Sequence, residues 1–170
     1  MKKSMIRRSD VVKLIILLIV FLVTMAMMVI MADYASAEEY YVLCTPEAEV
    51  NIRERPKLKS PIVACYFFGD KVITDGKEEN GFVHVVDIRG EVSEGWIYKG
   101  LLVGDRPVAS PGRAQVFGGR VACRKYADGK IQNWLEDGSG VMIYAVSEVW
   151  CVTEYGYIKT EFLTVNAKVW

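Results

Sequence analysis

The chain has 170 residues, of which 52% are hydrophobic and 25% charged, and its formal net charge at pH 7 is zero. The first 37 residues hold five basic and two acidic side chains, so the other 133 carry 16 basic and 19 acidic ones, a net charge of −3. A mildly acidic body with no basic run lacks the charge distribution that nucleic acids or anionic lipids attract, which disfavours both as partners. A body of this length accommodates one ordinary domain or two small ones.

The N-terminal segment has the organisation of an export signal. A basic stretch ending at Lys13 precedes an almost unbroken apolar run over residues 14–32, and Ala35-Ser36-Ala37 supplies the small residues that a signal peptidase accepts. We predict a signal peptide over residues 1–37 and an exported body, secreted or in the cell envelope. The alternative is an uncleaved anchor, since residues 14–32 can span a bilayer core of about 30 Å and leave the body outside.

From Tyr40 onward the sequence changes to short runs that alternate or are rich in β-branched residues. Glycine, proline, asparagine and aspartate separate these runs, as is typical of strands joined by turns. Asn80-Gly81 predicts a tight hairpin, and Asp75-Gly76 a further turn. No part of the body shows a sustained helical period, so the predicted fold class is all-β.

Residues 104–112 contain two prolines and two glycines without alternation, which predicts a linker. Five sequence blocks before it recur in the same order after it. They are Val50-Asn51-Ile52-Arg53 and Val121-Ala122-Cys123-Arg124, Gly69-Asp70-Lys71-Val72 and Gly138-Ser139-Gly140-Val141, Phe82 and Trp150, Gly95-Trp96-Ile97 and Gly156-Tyr157-Ile158, and Leu101-Leu102 and Phe162-Leu163. The order predicts two tandem β-domains at residues 40–103 and 113–170, with fragments 38–104 and 112–170 folding independently.

The first copy resembles the bacterial SH3-like (SH3b) family from about Tyr41 to Leu102. The resemblance rests on Asn51, Arg53, Pro56, Ile62-Val63, Gly69-Asp70-Lys71-Val72, Phe82 and Gly95-Trp96-Ile97-Tyr98. The second copy resembles the family more weakly, with Ala122 in place of the asparagine and Tyr157 in place of the tryptophan. The resemblance implies two small, strongly bent SH3-like β-barrels of five or six strands. It also implies exported accessory modules that bind cell-wall peptides, glycan strands or a neighbouring protein.

Two features of the repeated blocks have a structural explanation. Arg53 and Arg124 directly follow strand residues that are expected to be buried, so their guanidinium groups are expected to bind loop carbonyls or a carboxylate, with ligand binding as the alternative. The glycines of the blocks are expected where strands bend or backbones approach closely; they are Gly69, Gly95, Gly138 and Gly156.

The sequence offers little for catalysis. His84 is the one imidazole, and its position between Val83 and Val85 predicts a solvent-facing strand residue. The four cysteines never fall in the C-x-x-C spacing typical of zinc sites, and there is no glycine-rich phosphate loop. We therefore expect no enzyme activity, no catalytic residue, no metal and no cofactor.

The four cysteines allow two disulfides outside the cytoplasm. Because two fall in each copy, the preferred pairs are Cys44–Cys65 and Cys123–Cys151. The alternative is free, partly buried thiols that act as small hydrophobes. It is strongest for Cys123, which takes the place of the inward-facing Ile52.

Two classes of function remain. The first is a binding module that recognises cell-wall peptide or glycan; the second is a structural or interaction protein that docks onto an exported or membrane protein. Phe67 and Phe68 are predicted to form an exposed contact surface, with Tyr66 facing the core. The alternative is that the interface between the copies or the loop from Val86 to Glu94 covers them. Further candidates for stacking on a ligand are Trp96, Tyr98 and Trp134. A membrane is expected as a partner only through an uncleaved N-terminal segment.

Overall fold

The computed structural model describes residues 13, 15–26, 37–87 and 94–165. The chain divides into two compact units, Met1–Ala37 and Glu38–Trp170. The first unit contains a helix over residues 15–26. Within the described residues, no helix combines the length and the apolar character needed to cross a membrane. Most of the predicted signal peptide, including Ala35 and Ser36, lies outside the described residues.

The second unit consists of β-strands, as the sequence predicts. The strands of the first copy are β1 (Glu38–Val42), β2 (Glu49–Arg53), β3 (Ile62–Phe67), β4 (Lys71–Glu79), β5 (Phe82–Asp87), β6 (Gly95–Tyr98) and β7 (Leu102–Val103). Those of the second are β8 (Val108–Val116), β9 (Val121–Arg124), β10 (Ile131–Leu135), β11 (Gly140–Val146), β12 (Trp150–Thr153), β13 (Gly156–Lys159) and β14 (Leu163–Val165). A short 3₁₀ turn precedes the last strand of each copy, at Lys99–Leu101 and Thr160–Phe162.

The two copies have the same topology. The strand order is β3-β2-β6-β5-β4-β1-β7 in the first sheet and β10-β9-β13-β12-β11-β8-β14 in the second, so each strand has a counterpart seven strands later. All the pairings are antiparallel. The tandem repeat and the all-β fold are confirmed. Each sheet has seven strands rather than five or six, because a short strand after the 3₁₀ turn pairs with the first strand of its copy.

Each sheet encloses a core of its own. In the first sheet, side chains from all seven strands form one apolar cluster: Val42, Val50, Ile52, Tyr66, Val72, Val83, Val85, Ile97 and Leu102. Because the edge strands β3 and β7 both contribute to this cluster, the sheet must bend around it. We call this half barrel 1. The second sheet surrounds a corresponding cluster that includes Val121, Cys123, Ile143, Cys151 and Ile158, and we call it barrel 2.

Two of the repeated glycines and both arginines have the structural roles that the sequence predicts, whereas Gly69 and Gly138 have open space at the Cβ position and instead adopt φ values of 74° and 77°. A Cβ atom at Gly95 would collide with the side chain of Ile52, and one at Gly156 with the carbonyl of Arg124. Arg53 donates from Nη1 to the Ser60 carbonyl at 2.7 Å, and Arg124 from Nη1 to the Gly129 carbonyl at 2.8 Å. In both copies the arginine therefore closes the loop that follows its strand.

One of the two predicted turns is correct. Asn80 and Gly81 have φ values of 52° and 78° and join β4 to β5 in a tight hairpin. The turn predicted at Asp75-Gly76 is wrong, because both residues lie within β4. The register shifts between Thr74 and Glu78, which makes this segment a β-bulge.

The predicted linker is wrong over residues 108–112, which belong to β8 and pair with β11. The prolines of this segment suggested a linker, but Pro111 is compatible with a strand at this position. It lies where the register shifts between Ile143 and Ala145, and a bulge tolerates a residue without an amide hydrogen. A fragment that begins at residue 112 would lack residues 108–111 of β8. Independent folding of the two halves stays a prediction, and its boundary belongs before Val108.

A third apolar cluster lies between the barrels. Leu43 and Val103 come from barrel 1, and the remaining buried members come from barrel 2: Ala127, Ala145, Trp150, Val152 and Tyr157. All four residues of β12 are buried, because one face of this strand covers the core of barrel 2 and the other packs on barrel 1. The cluster therefore fixes how the two barrels pack.

Hydrogen bonds accompany this apolar contact. Tyr157 donates from its hydroxyl to the buried carbonyl of Leu43 at 2.7 Å, and the Ala127 amide donates to the Gly100 carbonyl at 3.0 Å. Burial raises the pKa of Tyr157, so its hydroxyl stays protonated and remains a donor. All the described strands and all three apolar clusters lie in residues 38–165, within the second unit.

Replacing Tyr157 by phenylalanine should destabilise residues 38–170 by about 1–3 kcal/mol, because the buried Leu43 carbonyl loses its donor. Urea unfolding measures the effect. Tyr155→Phe is the matched control, since the Tyr155 side chain is 41% exposed and should tolerate the change. Equal unfolding midpoints for the two variants would show that the hydrogen bond does not stabilise the pair of barrels.

Candidate ligand-binding face

The outer face of β5 and β6 in barrel 1 is the counterpart of the face through which barrel 2 docks. Phe82 pairs with Tyr98, and His84 with Trp96, across these two strands. The corresponding pairs in barrel 2 are Trp150 with Lys159 and Val152 with Tyr157. Barrel 1 thus carries an imidazole and an indole where barrel 2 has residues buried in the contact between the barrels. We call the barrel 1 surface the aromatic face.

His84 is a buried polar group of the aromatic face. Its Nδ1 lies 3.0 Å from Oδ2 of Asp75, and its Nε2 lies 3.8 Å from Oε2 of Glu94. Its ring centroid is 4.9 Å from that of Trp96. The prediction of a solvent-facing histidine is wrong: His84 is only 9% exposed. The bulge in β4 places Asp75 beside one side of the ring, and the Trp96 indole lies against it.

Asp75 is held as a carboxylate. Burial raises the pKa of Asp75, but hydrogen bonds from the side chain and backbone of Lys77 and from His84 outweigh that effect and lower the pKa to about 2. The ammonium of Lys77 lies 2.6 Å from Asp75 Oδ2. Asp75 therefore stays ionised beside His84 in neutral solution.

A row of aromatic rings extends from this face to the contact between the barrels. The centroid of Tyr98 lies 5.4 Å from that of Phe82 and 4.7 Å from that of Tyr126. Tyr126 belongs to barrel 2, and its ring centroid is 6.5 Å from that of Tyr157. The Nζ atom of Lys125 lies 5.3 Å from the Tyr126 ring centroid. Both barrels therefore contribute rings to the aromatic face.

The structure separates the two phenylalanines. Phe67 is 42% exposed at the end of β3, and its amide donates to Asp70 Oδ2 at 2.8 Å. Phe68 is half-buried and packs against both the barrel 1 core and the cluster between the barrels. The exposed surface predicted for Phe68 is wrong, because strand alternation ends at Phe67. The alternative that the interface covers it is correct for this residue. Tyr66 lies in the core as expected.

Trp134 lies apart from the other predicted rings. It is 43% exposed on β10, an edge strand of the second sheet, and the Arg120 guanidinium lies 5.1 Å from its ring centroid. Trp96 and Tyr98 belong to the first sheet. Of the five predicted aromatic residues, the structure therefore combines only Trp96 and Tyr98 on one face.

All four cysteines are free thiols in this structure, and neither predicted pair is joined. Cys44, Cys123 and Cys151 are buried, as the alternative of small hydrophobic residues requires. Burial, with a smaller contribution from Asp70, raises the pKa of Cys44 to about 11, and burial also raises the pKa of Cys123 and Cys151. Since the thiolate is the reactive form, these three cysteines are protected from exchange.

The aromatic face combines rings with carboxylate oxygens. Rings can stack on the apolar faces of a ligand, and carboxylates accept hydrogen bonds from its hydroxyl, amide or ammonium groups. In the part of the chain that the structure describes, no group of three or more His, Cys, Asp or Glu residues could hold a metal ion. The arrangement suits recognition of an organic ligand.

Asp75 should make stability depend on pH in acid. Its folded pKa of about 2 is below the unfolded value of about 4, so its contribution is present above pH 4 and is lost as the pH falls through 2. Wild type should therefore be more stable than Asp75→Asn at pH 5, and the difference should shrink towards pH 2. Urea unfolding at each pH measures it. A difference that stays constant over this range would contradict the assignment.

A comparison with protein families agrees with the fold of barrel 1. The bacterial SH3 domain family matches residues 46–104. No curated protein matches the chain. Two solved structures are similar: NlpC1 and NlpC2 from Trichomonas vaginalis, with 20% and 21% identity and TM-scores of 0.32 and 0.33. Each match covers 76% of this chain and 46% or 48% of the other, so this chain spans less than half the length of either. Over residues 46–104, which form most of barrel 1, the chain is similar to the bacterial SH3 domain family.

Proposed function

We propose that the chain is a non-catalytic, exported binding module that recognises cell-wall peptide or glycan through its aromatic face. The observation that carries the proposal is the contrast between the copies. Barrel 2 uses its β12–β13 face to hold barrel 1, whereas barrel 1 presents Trp96 and Tyr98 on the equivalent face. The match of residues 46–104 supports the proposal, since bacterial SH3 domains are typically extracellular or envelope modules that commonly bind cell-wall peptides.

The composition of the face fits such ligands. Trp96 and Tyr98 are half-buried, so their rings are held in place and part of each stays accessible. The side chain of Glu94 is 78% exposed beside His84 and can accept hydrogen bonds from a ligand. Rigid rings next to solvated carboxylates suit a sugar or a short peptide, whose apolar and polar groups alternate.

The surroundings of His84 favour binding over catalysis. Its two ring nitrogens face the carboxylates of Asp75 and Glu94. A nucleophilic mechanism needs a hydroxyl or thiol within hydrogen-bond reach of the imidazole. Within the described residues, the hydrogen bonds and ion pairs of His84 include no such group. We assign His84 the role of positioning Trp96.

Trp96→Ala should weaken retention on purified cell wall about tenfold or more, as expected for a central aromatic anchor. The assay is a pull-down of residues 38–170, with urea unfolding as a check that the variant folds. Trp134→Ala is the matched control, because it removes an exposed indole from the other sheet and should leave retention unchanged. Loss of retention in Trp134→Ala but not in Trp96→Ala would overturn the assignment of the site.

Phe67 favours the second class of function, docking onto an exported or membrane protein. Its exposed ring lies on β3, an edge strand, where a protein partner could pair. Phe67→Ser in the same pull-down shows which of the two surfaces contacts the wall. Normal wall retention supports the aromatic face, whereas a loss confined to Phe67→Ser supports a surface on β3.

We further propose export with cleavage after Ala37. The two compact units divide between Ala37 and Glu38, where β1 begins, so cleavage there would leave the strands of the described residues intact. Mass spectrometry of the exported protein should find Glu38 at its N-terminus. Recovery of only full-length chain from membranes would instead support an uncleaved anchor.

A further inference from the structure

A second surface lies on the loop between β2 and β3, which follows Arg53, the strand partner of Trp96. Hydrogen bonds fix its shape: Arg53 Nη1 donates to the Ser60 carbonyl at 2.7 Å, the Arg55 amide to Ser60 Oγ at 2.9 Å, and the Ser60 amide to the Lys57 carbonyl at 3.0 Å. Pro56 and Ser60 are buried beneath it. The loop is therefore an ordered support for Lys57, Leu58 and Lys59 at its tip.

The tip combines an apolar side chain with cations. Leu58 is 70% exposed, the most exposed large apolar side chain described in residues 38–165, and it is flanked by the exposed Lys57 and Lys59. Ile62, at the start of β3, is 53% exposed. Exposed apolar and basic groups thus share one end of barrel 1.

The loop is strongly basic within an acidic body. Residues 53–60 contain four cationic side chains and one carboxylate, Glu54, for a net charge of +3. The expectation that the body lacks a basic run is therefore wrong here, because the average charge conceals a local concentration. Glu54 lies 3.9 Å from Arg55. Among the described residues, no carboxylate lies within ion-pair distance of Lys57 or Lys59.

We propose that this tip binds the surface of an anionic lipid bilayer, with Leu58 inserted among the lipids and Lys57 and Lys59 at the headgroup phosphates. Each basic residue near an anionic bilayer strengthens binding by electrostatic attraction, and an exposed apolar side chain gains by leaving water. The exposed side chain of Leu58 favours a bilayer over a soluble anionic polymer, since phosphates on a polymer would attract the lysines but offer no apolar interior. The tip uses none of the residues of the aromatic face, so the proposal does not depend on wall binding.

Vesicle co-sedimentation of residues 38–170 tests the proposal. The protein should bind vesicles of phosphatidylglycerol mixed with phosphatidylcholine, bind phosphatidylcholine alone weakly, and lose binding as salt rises. Lys57→Ser with Lys59→Ser should weaken binding about 25-fold, from roughly fivefold per lysine. Leu58→Ser should weaken it about tenfold at every salt concentration, because the apolar contribution is not screened.

Two variants in other regions serve as controls. Val108→Ser removes another exposed apolar side chain, 64% exposed, and Lys130→Ser with Lys159→Ser removes two other positive charges. Both should bind like wild type. Unchanged binding in Leu58→Ser with loss in the lysine variant would overturn the bilayer assignment in favour of a soluble anionic polymer. Equal binding to both kinds of vesicle would show that binding does not depend on anionic lipid. Control variants that weaken binding as much as the tip variants would show that the tip is not the binding surface.

Discussion

The apolar contact between the two barrels determines which surfaces of this protein remain available. Trp150, Val152 and Tyr157 cover barrel 1 with one face of β12 and β13, while the opposite face of the same strands closes the core of barrel 2. The Tyr157 hydroxyl satisfies a buried carbonyl of Leu43, so the contact carries no unmet hydrogen bond at that point. This arrangement buries the outer face of one copy and leaves Trp96 and Tyr98 on the equivalent face of the other partly accessible, as the proposed binding role requires.

The differences between the copies follow this division of roles. Both sheets have the same strand order, the same loop-closing arginine and the same close-packed glycine at the start of the sixth strand. They differ on their outer faces, one of which is buried between the barrels while the other is partly exposed. Val152 suits a dry contact, whereas His84 at the same position needs Asp75 and Trp96 around it. Tyr126 and Tyr98 connect the two regions, so docking of barrel 2 also completes the aromatic face.

Sequence patterns predicted what is local and repeated. Block order predicted the two domains, and Asn80-Gly81 predicted its hairpin because both residues tolerate positive φ. Features that depend on how distant strands pair were not predicted from the sequence. Asp75-Gly76 and Pro111 have turn-like composition but lie at bulges, which depend on partner strands. His84 and Phe68 are covered by side chains distant in sequence, and Tyr126 joins the site only through docking. The alternation of β5 did offer one indication for His84, because it places His84 on the same outward side of the strand as Phe82.

Indole resonances measure the central claim directly, because three of the four tryptophans report on different described surfaces. Trp96 lies on the aromatic face, Trp134 on the edge of barrel 2, and Trp150 in the contact between the barrels. In an NMR titration of residues 38–170 with a soluble cell-wall fragment, the account predicts a shift of the Trp96 indole and unmoved signals from Trp134 and Trp150. A shift of Trp134 or Trp150 with an unmoved Trp96 would contradict it.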